Sequence, residues 1–189
     1  MAIEKLYDCC YFTFGRFQPP TVGHEENIAG VKKASCMCDW RIYVSKSHDR
    51  NGKNPLDPDS KTRWMRKMFR KYAKNIIGPQ KSVIECLQDI QKDGYEDAVL
   101  VVGSDRVNAF QWIHKYNGKD YFFRKLEIKS SGNRDADGDT FAISGTKMRR
   151  AAFAGDFEAF RAGIPKALSD GECDKLMKEV AANLPSNFK

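Results

Sequence analysis

The chain lacks an apolar run of the length needed to cross a membrane. No uninterrupted hydrophobic stretch in its 189 residues approaches the roughly 20 residues that a bilayer-spanning helix requires. Glu4 and Lys5 interrupt any signal-like beginning, and internal repeats and low-complexity tracts are missing. With 41% hydrophobic and 30% charged residues, the sequence predicts a single domain over residues 1–189, soluble and cytoplasmic.

Two common nucleotide-binding fingerprints are also absent. The sequence contains neither GxxxxGK[ST], the phosphate-binding loop with its lysine, nor GxGxxG, the dinucleotide-binding turn. It has no Ser/His/Asp or Cys/His arrangement typical of a covalent nucleophile, and no obvious set of carboxylates that would cage a metal ion. We therefore predict neither a covalent intermediate nor a metal site built by the protein.

The six cysteines do not follow a metal-binding pattern. Cys36 and Cys38 form a lone CxC that lacks a second CxxC or a histidine pair at ligand spacing, so no zinc site is expected. Cys9 and Cys10 lie in an apolar run of a chain without secretory features. The cysteines are therefore expected to be free thiols that pack as small hydrophobic side chains.

Acidic residues are outnumbered by basic ones. There are 25 Asp and Glu residues against 32 Lys and Arg residues, which gives a formal net charge of +7. A basic surplus of this size suits polyanionic ligands, either nucleoside triphosphates or nucleic acid. Charge by itself does not choose between them.

The most informative stretch runs from Phe14 to His24 and reads FGRFQPPTVGH. An apolar run before it predicts a buried strand, and the residues after it predict a helix. A loop between a strand and a helix start presents unpaired N–H groups and the positive end of the helix dipole. Arg16 and His24 add cationic or protonatable side chains, and Gly15 allows a close approach of the backbone. The stretch therefore predicts a phosphate site.

A second stretch, Ile143 to Arg149, has matching properties. Ser144 or Thr146 can cap a helix whose first-turn amides bind anionic oxygens, and Arg149 lies one turn further on. Two helix N-termini that converge on one triphosphate would neutralise it without a P-loop lysine. We therefore expect the two stretches to meet at one site.

Alternating strand and helix patterns predict the fold. Continuous apolar runs indicate buried parallel strands, and apolar spacings of three and four residues indicate helices. The predicted strands are Tyr7–Phe14, Trp40–Ser45, Lys81–Ile84 at an edge, Asp97–Gly103 and Phe122–Ile128. The predicted helices cover 25–36, 63–72, 85–92 and 106–116, with more helices from about 155 packed on the sheet. This order predicts an α/β, Rossmann-like parallel sheet of about five strands with helices on both faces.

Other candidate site residues lie at the predicted carboxyl ends of the strands. Ser104 and Asp105 follow a buried strand, where Asp105 serves equally well as a helix N-cap. Lys53 lies in the polar loop 45–60, where a contact with the substrate and an ordinary solvated position are equally compatible with the sequence. Arg63 is the one member of its basic helix that suits a phosphate, and Trp112 suits ring stacking. The flexible loop 130–139 is a candidate lid.

The two stretches resemble known motifs. Gly15 to His24 resembles the GxFxPxHxGH signature of the nucleotidylyltransferase superfamily, and its form GRFQP is most similar to the nicotinamide-nucleotide adenylyltransferases. Ile143 to Arg149 resembles the ISSTxxR or SGTxxR motif, and 54–56 resembles the NPL segment of related adenylyltransferases. Thr21 stands where many members have the first histidine, as in the phosphopantetheine adenylyltransferase variant. This difference affects the expected identity of the acceptor substrate more than the expected type of reaction.

This resemblance implies roles for individual residues. His24 would contact the α- and β-phosphate oxygens, Arg149 with Ser144 and Thr146 would hold the β- and γ-phosphates, and Arg16 would span the reacting groups. The other implied phosphate-binding residues are Gly15, Phe17, Thr21, Gly23 and Gly145. The implied substrates are ATP, accompanied by Mg²⁺, and nicotinamide mononucleotide as the phosphorylated acceptor. The implied products are NAD and pyrophosphate.

Three other functions stay open at this point. A cytidylyltransferase would use CTP and a phosphorylated alcohol, but that family usually carries a longer RTEGISTS-like segment where this chain has Ile143 to Thr146. A catalytically idle nucleotide sensor would bind ATP without turnover. A basic nucleic-acid-binding module, which we do not expect, would lose affinity steeply with salt. No membrane partner is expected, and a homo-oligomer is compatible with the sequence.

Overall fold

A five-stranded, all-parallel β-sheet forms the centre of the protein, with strand order β3-β2-β1-β4-β5. The structure is a computed structural model that describes residues 7–132 and 143–188. The strands are β1 (Cys9–Gly15), β2 (Asp39–Ser45), β3 (Ile76–Gln80), β4 (Asp97–Val102) and β5 (Lys125–Ser130).

Helices connect the strands and continue after the last one. The α-helices are α1 (Val22–Ser35), α2 (Pro58–Met68), α3 (Val83–Lys92), α4 (Gly145–Ala154), α5 (Phe157–Ala162) and α6 (Asp170–Ala182). Within the described ranges, 3₁₀ segments cover Arg70–Asn75, Ser104–Arg106 and Asn108–Tyr116.

Each face of the sheet is covered by its own hydrophobic core. Successive side chains of a strand point to opposite faces, and along β4 Val99 and Val101 belong to one core while Leu100 belongs to the other. The first core joins the sheet to α1, α2 and the three C-terminal helices. The second joins it to α3 and the 3₁₀ segment Asn108–Tyr116. The predicted Rossmann-like α/β fold with helices on both faces is thereby confirmed.

The strand order places the chain's topological switch point between β1 and β4. From β1 the chain moves outward to β2 and β3, then crosses back to β4 on the other side of β1. In open parallel sheets, the crevice at this point lies beyond the carboxyl ends of the two central strands. Gly15 and Gly103 mark those ends.

The edge strand was predicted at Lys81–Ile84, but the observed strand lies earlier in the chain. Ile76–Gln80 forms β3, whereas Val83 begins α3 and Ser82 caps it by accepting a hydrogen bond from Glu85 N at 3.3 Å. The apolar spacing of Val83, Cys86, Leu87 and Ile90 is helical, and these side chains are buried. A strong amphipathic helix therefore outweighed the local β-rich run.

Other observed element boundaries differ from the predicted ones for local reasons. α1 begins at Val22 and not at Glu25, because Thr21 acts as its N-cap. The predicted helix 106–116 is 3₁₀ rather than α, and β5 begins at Lys125. The part of the candidate lid 130–139 that follows Gly132 lies outside the described residues. Among the described residues, no helix combines the length and apolar character needed to cross a membrane.

The prediction that all cysteines are free thiols is wrong for one pair. Cys9 and Cys38 form a disulfide, with their Cα atoms 5.4 Å apart. They lie side by side because the register of β1 and β2 pairs the next residues, Cys10 and Asp39. The remaining four are free, with Cys10, Cys86 and Cys173 buried and Cys36 exposed.

Candidate functional site

A cavity of about 290 Å³ opens where β1 and β4 end, at the topological switch point. Residues 13–19 line it from the β1 side and 101–103 from the β4 side. His24, Asn27, Ile28 and Val31 of α1 form one wall, and Gly145 and Arg149 of α4 form another. Its volume is near the lower end of ligand pockets, which span roughly 300–1,000 Å³.

The cavity lining is basic. Among the described residues, no Asp or Glu side chain lines it. The basic side chains that do are Arg16, His24, Lys53, Arg106 and Arg149. Positive groups that meet in a partly enclosed space attract counter-ions strongly, so the arrangement suits a ligand with several negative charges.

Arg149 joins the two sequence motifs. Its Nη1 donates a hydrogen bond to the backbone carbonyl of Gln18 at 2.7 Å, across 131 positions of sequence. Its Nη2 donates to Thr146 Oγ1 at 3.1 Å. A Cβ atom on Gly145 would lie 3.0 Å from that same carbonyl oxygen, so a larger residue would push α4 away from the loop. Gly145 is therefore needed for the close approach of the two motifs.

The guanidinium of Arg149 retains unused binding capacity. It is half-buried, and its buried Nε has no hydrogen-bond partner among the described residues. Burial is the main factor that lowers the pKa of Arg149, and the positive charge of Arg16 is the second. Asp49 acts on Arg149 in the opposite direction, but less strongly than Arg16. An anion that binds near both cations would stabilise them.

His24 is held in a defined orientation at the start of α1. The backbone N–H of Thr21 donates to His24 Nδ1 at 2.9 Å, and Thr21 Oγ1 lies 3.1 Å from the same nitrogen. Because Nδ1 accepts a hydrogen bond, the neutral ring carries its proton on Nε2. The departure at Thr21 thus has a local role, since Thr21 caps the helix and orients the histidine.

Phe17 and Gly15 shape the loop beneath the histidine. The ring of Phe17 meets the imidazole of His24 edge-on, with centroids 4.9 Å apart. Phe17 is buried and has a φ of +48°. A Cβ atom on Gly15 would lie only 2.7 Å from the Phe17 ring. Gly15 therefore makes room for a protein side chain and lines the cavity as well.

Gln18 ties this loop to the polar loop after β2. Its Oε1 accepts from Leu56 N at 2.9 Å, and its Nε2 donates to Leu56 O at 3.0 Å and to Ser47 O at 2.9 Å. The amide is buried, and it pairs with the NPL segment as a backbone strand would. Gln18 therefore holds the two loops together.

Asp49 organises the part of that loop that carries Lys53. Asp49 Oδ1 accepts from the backbone N–H groups of Asn51, Lys53 and Asn54 at 3.1, 3.3 and 3.3 Å. Slight burial works in the opposite direction, but these bonds and one from the Asn54 side chain lower the pKa of Asp49. The ordered turn brings Lys53 to the cavity.

Several predicted site residues do not line the cavity. Ser144 caps α4 by accepting from Lys147 N at 3.2 Å, and Thr146 accepts from Arg149. A Cβ atom on Gly23 would meet Thr21 Oγ1 at an ordinary 3.8 Å, so the site does not require glycine there. The other predicted residues that do not line it are Thr21, Ser104, Asp105, Trp112 and Arg63.

The backbone around these residues explains their positions. The short 3₁₀ turn Ser104–Arg106 brings Arg106 to the cavity and leaves Asp105 exposed. Trp112 packs edge-on against Tyr116, with ring centroids 5.7 Å apart, and contributes to the second core. Arg63 is exposed on α2. Asp105, Trp112 and Arg63 therefore have surroundings that do not involve the cavity.

The lining residues outside the predicted site set include four polar or aromatic ones from other parts of the chain: Asn27, Arg106, Phe110 and Ser131. Asn27 lies three residues after His24 on the same helix face, and this spacing could have identified it. Arg106 stacks over the Phe110 ring at 5.2 Å. Arg106 belongs to the polar segment that follows a predicted buried strand, and this position could have identified it. No pattern in the sequence marks Phe110 as a site residue.

The fold and the basic cavity define a Rossmann-like α/β protein with a candidate polyanion site at its switch point. No protein-family model matches the chain, and no curated protein sequence matches it. The described residues contain no group of three or more His, Cys, Asp or Glu side chains that could hold a metal ion. The part of the chain that the structure describes therefore offers no carboxylate cage for Mg²⁺.

Proposed function

We propose that the protein is a nucleotidyltransferase. It transfers a nucleoside monophosphate from a nucleoside triphosphate, with ATP the leading candidate, to a phosphorylated acceptor and releases pyrophosphate. Nicotinamide mononucleotide is the leading acceptor, which would make NAD the product. The observation that carries the proposal is the hydrogen bond from Arg149 to the Gln18 carbonyl, because it puts both motifs on one cavity.

Charge supports a triphosphate as the ligand. The N-terminal part of α1, through His24, and that of α4, through Gly145, both line the cavity. The positive ends of two helix dipoles are thus added to the five basic side chains already named. A ligand with three or four negative charges would neutralise this set without a P-loop lysine.

The transfer requires alignment and charge stabilisation. An oxygen of the acceptor phosphate attacks the α-phosphorus, a new P–O bond forms, and the bond from the α-phosphorus to the bridging oxygen breaks. That electron pair leaves with pyrophosphate. His24 would donate its Nε2 proton in a hydrogen bond to a phosphate oxygen, and Arg149 and Arg16 would stabilise the charge that builds up on the leaving group. No protein nucleophile is needed.

Mg²⁺ belongs to the proposal only as a companion of the nucleotide. Such an ion is commonly held by phosphate oxygens and water, and it neutralises charge on a triphosphate. The protein's own residues bind and orient the phosphates.

The test is a panel of ATP, CTP, GTP and UTP, each with nicotinamide mononucleotide and Mg²⁺, in which pyrophosphate release is measured. We expect ATP to support release, with NAD formed in equal amount. His24→Ala should reduce the rate by at least tenfold, whereas His114→Ala, an exposed histidine on Asn108–Tyr116, should not.

Each contrary result points to another function. Release with CTP and a phosphorylated alcohol, but not with ATP, would make the protein a cytidylyltransferase. ATP binding without turnover on any phosphorylated acceptor would make it a nucleotide sensor. Binding of nucleic acid that is steeply salt-dependent and survives His24→Ala would make it a nucleic-acid-binding module. Any of these outcomes overturns the proposal.

A further inference from the structure

Lys61 is a buried cation that the proposed reaction does not use. It lies in the first part of α2 and is 0% exposed. Its Nζ donates to Ser45 Oγ and to Ser47 O, both at 3.4 Å, which is long for such bonds. Among the described residues, no carboxylate lies within ion-pairing distance of it. Buried lysines normally have such a partner, because an uncompensated buried charge is costly.

Nearby charged groups influence the protonation of Lys61. Two charged groups act on it: Arg16, from the loop after β1, and Asp57, which caps α2. Burial first, and then the charge of Arg16, lower the pKa of Lys61 to about 8, while Asp57 works weakly in the opposite direction. Lys61 and Arg16 thus repel each other in the ligand-free protein.

A short chain of contacts connects Lys61 to the candidate site. The Ser47 carbonyl that accepts from Lys61 also accepts from Gln18 Nε2 at 2.9 Å. Gln18 in turn lies two residues after Arg16, and its carbonyl accepts from Arg149. The ammonium therefore lies behind the loop that presents Arg16 to the cavity.

We propose that Lys61 is a positioning residue of the phosphate site, whose ammonium supports the loop from behind and is stabilised when a polyphosphate binds at Arg16. This inference rests on the proposed function, because it requires a phosphate ligand at the cavity. Lys61 does not touch the ligand. It acts through Arg16, whose charge the ligand neutralises, and through the shared Ser47 carbonyl.

Thermodynamic linkage gives the proposal a measurable form. If a bound anion stabilises the protonated form of Lys61, then protonated Lys61 strengthens anion binding by the same factor. Binding should therefore take up a fraction of a proton near pH 8. Affinity should fall as the pH rises through that region.

The experiment measures ATP binding calorimetrically at pH 7, 8 and 9, without divalent metal, in buffers with different ionisation enthalpies. For a coupling on the order of tenfold, the unmodified protein should take up roughly 0.4 proton at pH 8, and its affinity should fall about fivefold from pH 7 to 9. Lys61→Met should bind about tenfold more weakly at pH 7 and lose this proton uptake. Lys61→Arg stays charged at pH 7, 8 and 9. At all three pH values it should bind ATP as tightly as the unmodified protein does at pH 7.

A matched control is Lys175→Met, which removes an exposed lysine from α6 and should leave the pH profile unchanged. If the unmodified protein binds ATP but Lys61→Met shows the same proton uptake, this inference is overturned and the proposed function stands. If the unmodified protein binds no nucleoside triphosphate, both are overturned. Circular dichroism of each variant would show that it is folded.

Discussion

The Arg149 guanidinium hydrogen-bonds the Gln18 carbonyl at 2.7 Å and so connects α4 to the loop that follows β1. The contact has two consequences. It fixes the arginine's planar donor fork beside Arg16, and it makes the shape of the cavity depend on the position of α4. Substitutions at these residues separate the binding role of the groups from their structural role.

Replacing Arg149 by lysine should impair the reaction more than the fold. A lysine keeps the charge but loses the fork that binds Gln18 and Thr146 together, so one charge-assisted hydrogen bond is lost. We expect pyrophosphate release to fall by about 10- to 100-fold, corresponding to about 1.4–2.7 kcal/mol. Arg150→Lys, at the exposed neighbouring position, is the control. Equal rates for the two variants would contradict the role of Arg149.

Gly145→Ala tests the close approach of the two motifs. Its Cβ atom would lie 3.0 Å from Gln18 O and 3.2 Å from Arg149 Nη1, so α4 would have to shift. We expect activity to fall at least tenfold, because misplaced groups lose the aligned geometry. Gly171→Ala in α6 meets nothing within 4 Å and should stabilise the protein by about 0.5–1 kcal/mol with full activity. Full activity in Gly145→Ala would show that the approach is not required.

Gln18→Met tests the connection between the two loops. Methionine has a similar volume but leaves the buried N–H and C=O of Leu56 without their partner and removes one of the two donors to the half-buried Ser47 carbonyl. We expect the free energy of unfolding to fall by about 2–4 kcal/mol in urea titrations. Gln111→Met, at an exposed glutamine, should change it by less than about 0.5 kcal/mol. A similar small change for Gln18→Met would mean that water replaces the lost bonds at no cost.

Lys61→Met should stabilise the ligand-free protein in a pH-dependent way. The pKa of Lys61 in the folded protein, about 8, is below the ordinary value of 10.5. Below pH 8 both states bind the proton, and folding carries the full cost of burying the charge. Between pH 8 and 10.5 only the unfolded chain binds it, so the stability of the unmodified protein rises relative to the variant.

The variant's advantage should therefore be greatest at pH 7, at most about 3 kcal/mol, and should shrink toward pH 10. Urea unfolding at pH 7 and pH 10 measures it, with Lys175→Met as the control. An advantage of the same size at both pH values would contradict the depressed pKa of Lys61.

Much of the architecture could be predicted because it depends on local patterns. Apolar runs identified β1 and β4, and a short β-rich run identified β2. Their alternation with helical spacings predicted a parallel sheet covered on both faces. The edge strand was misplaced because Lys81–Ile84 has β-rich composition, while the residues after it have a stronger helical period. The two motifs at 15–24 and 143–149 were recognisable because each combines a helix start with charged or polar side chains in a short segment.

The sequence by itself determined the fold class, the strand and helix types of the central elements and the two segments that carry the basic groups. These features follow from residues close together in the chain. Only the tertiary structure decided that Cys9 meets Cys38, that Arg106 rather than Asp105 reaches the cavity, and that Lys61 of α2 is buried. Strand register, the direction of a short 3₁₀ turn and the packing of α2 set these contacts. Each depends on residues far apart in sequence, which no local pattern encodes.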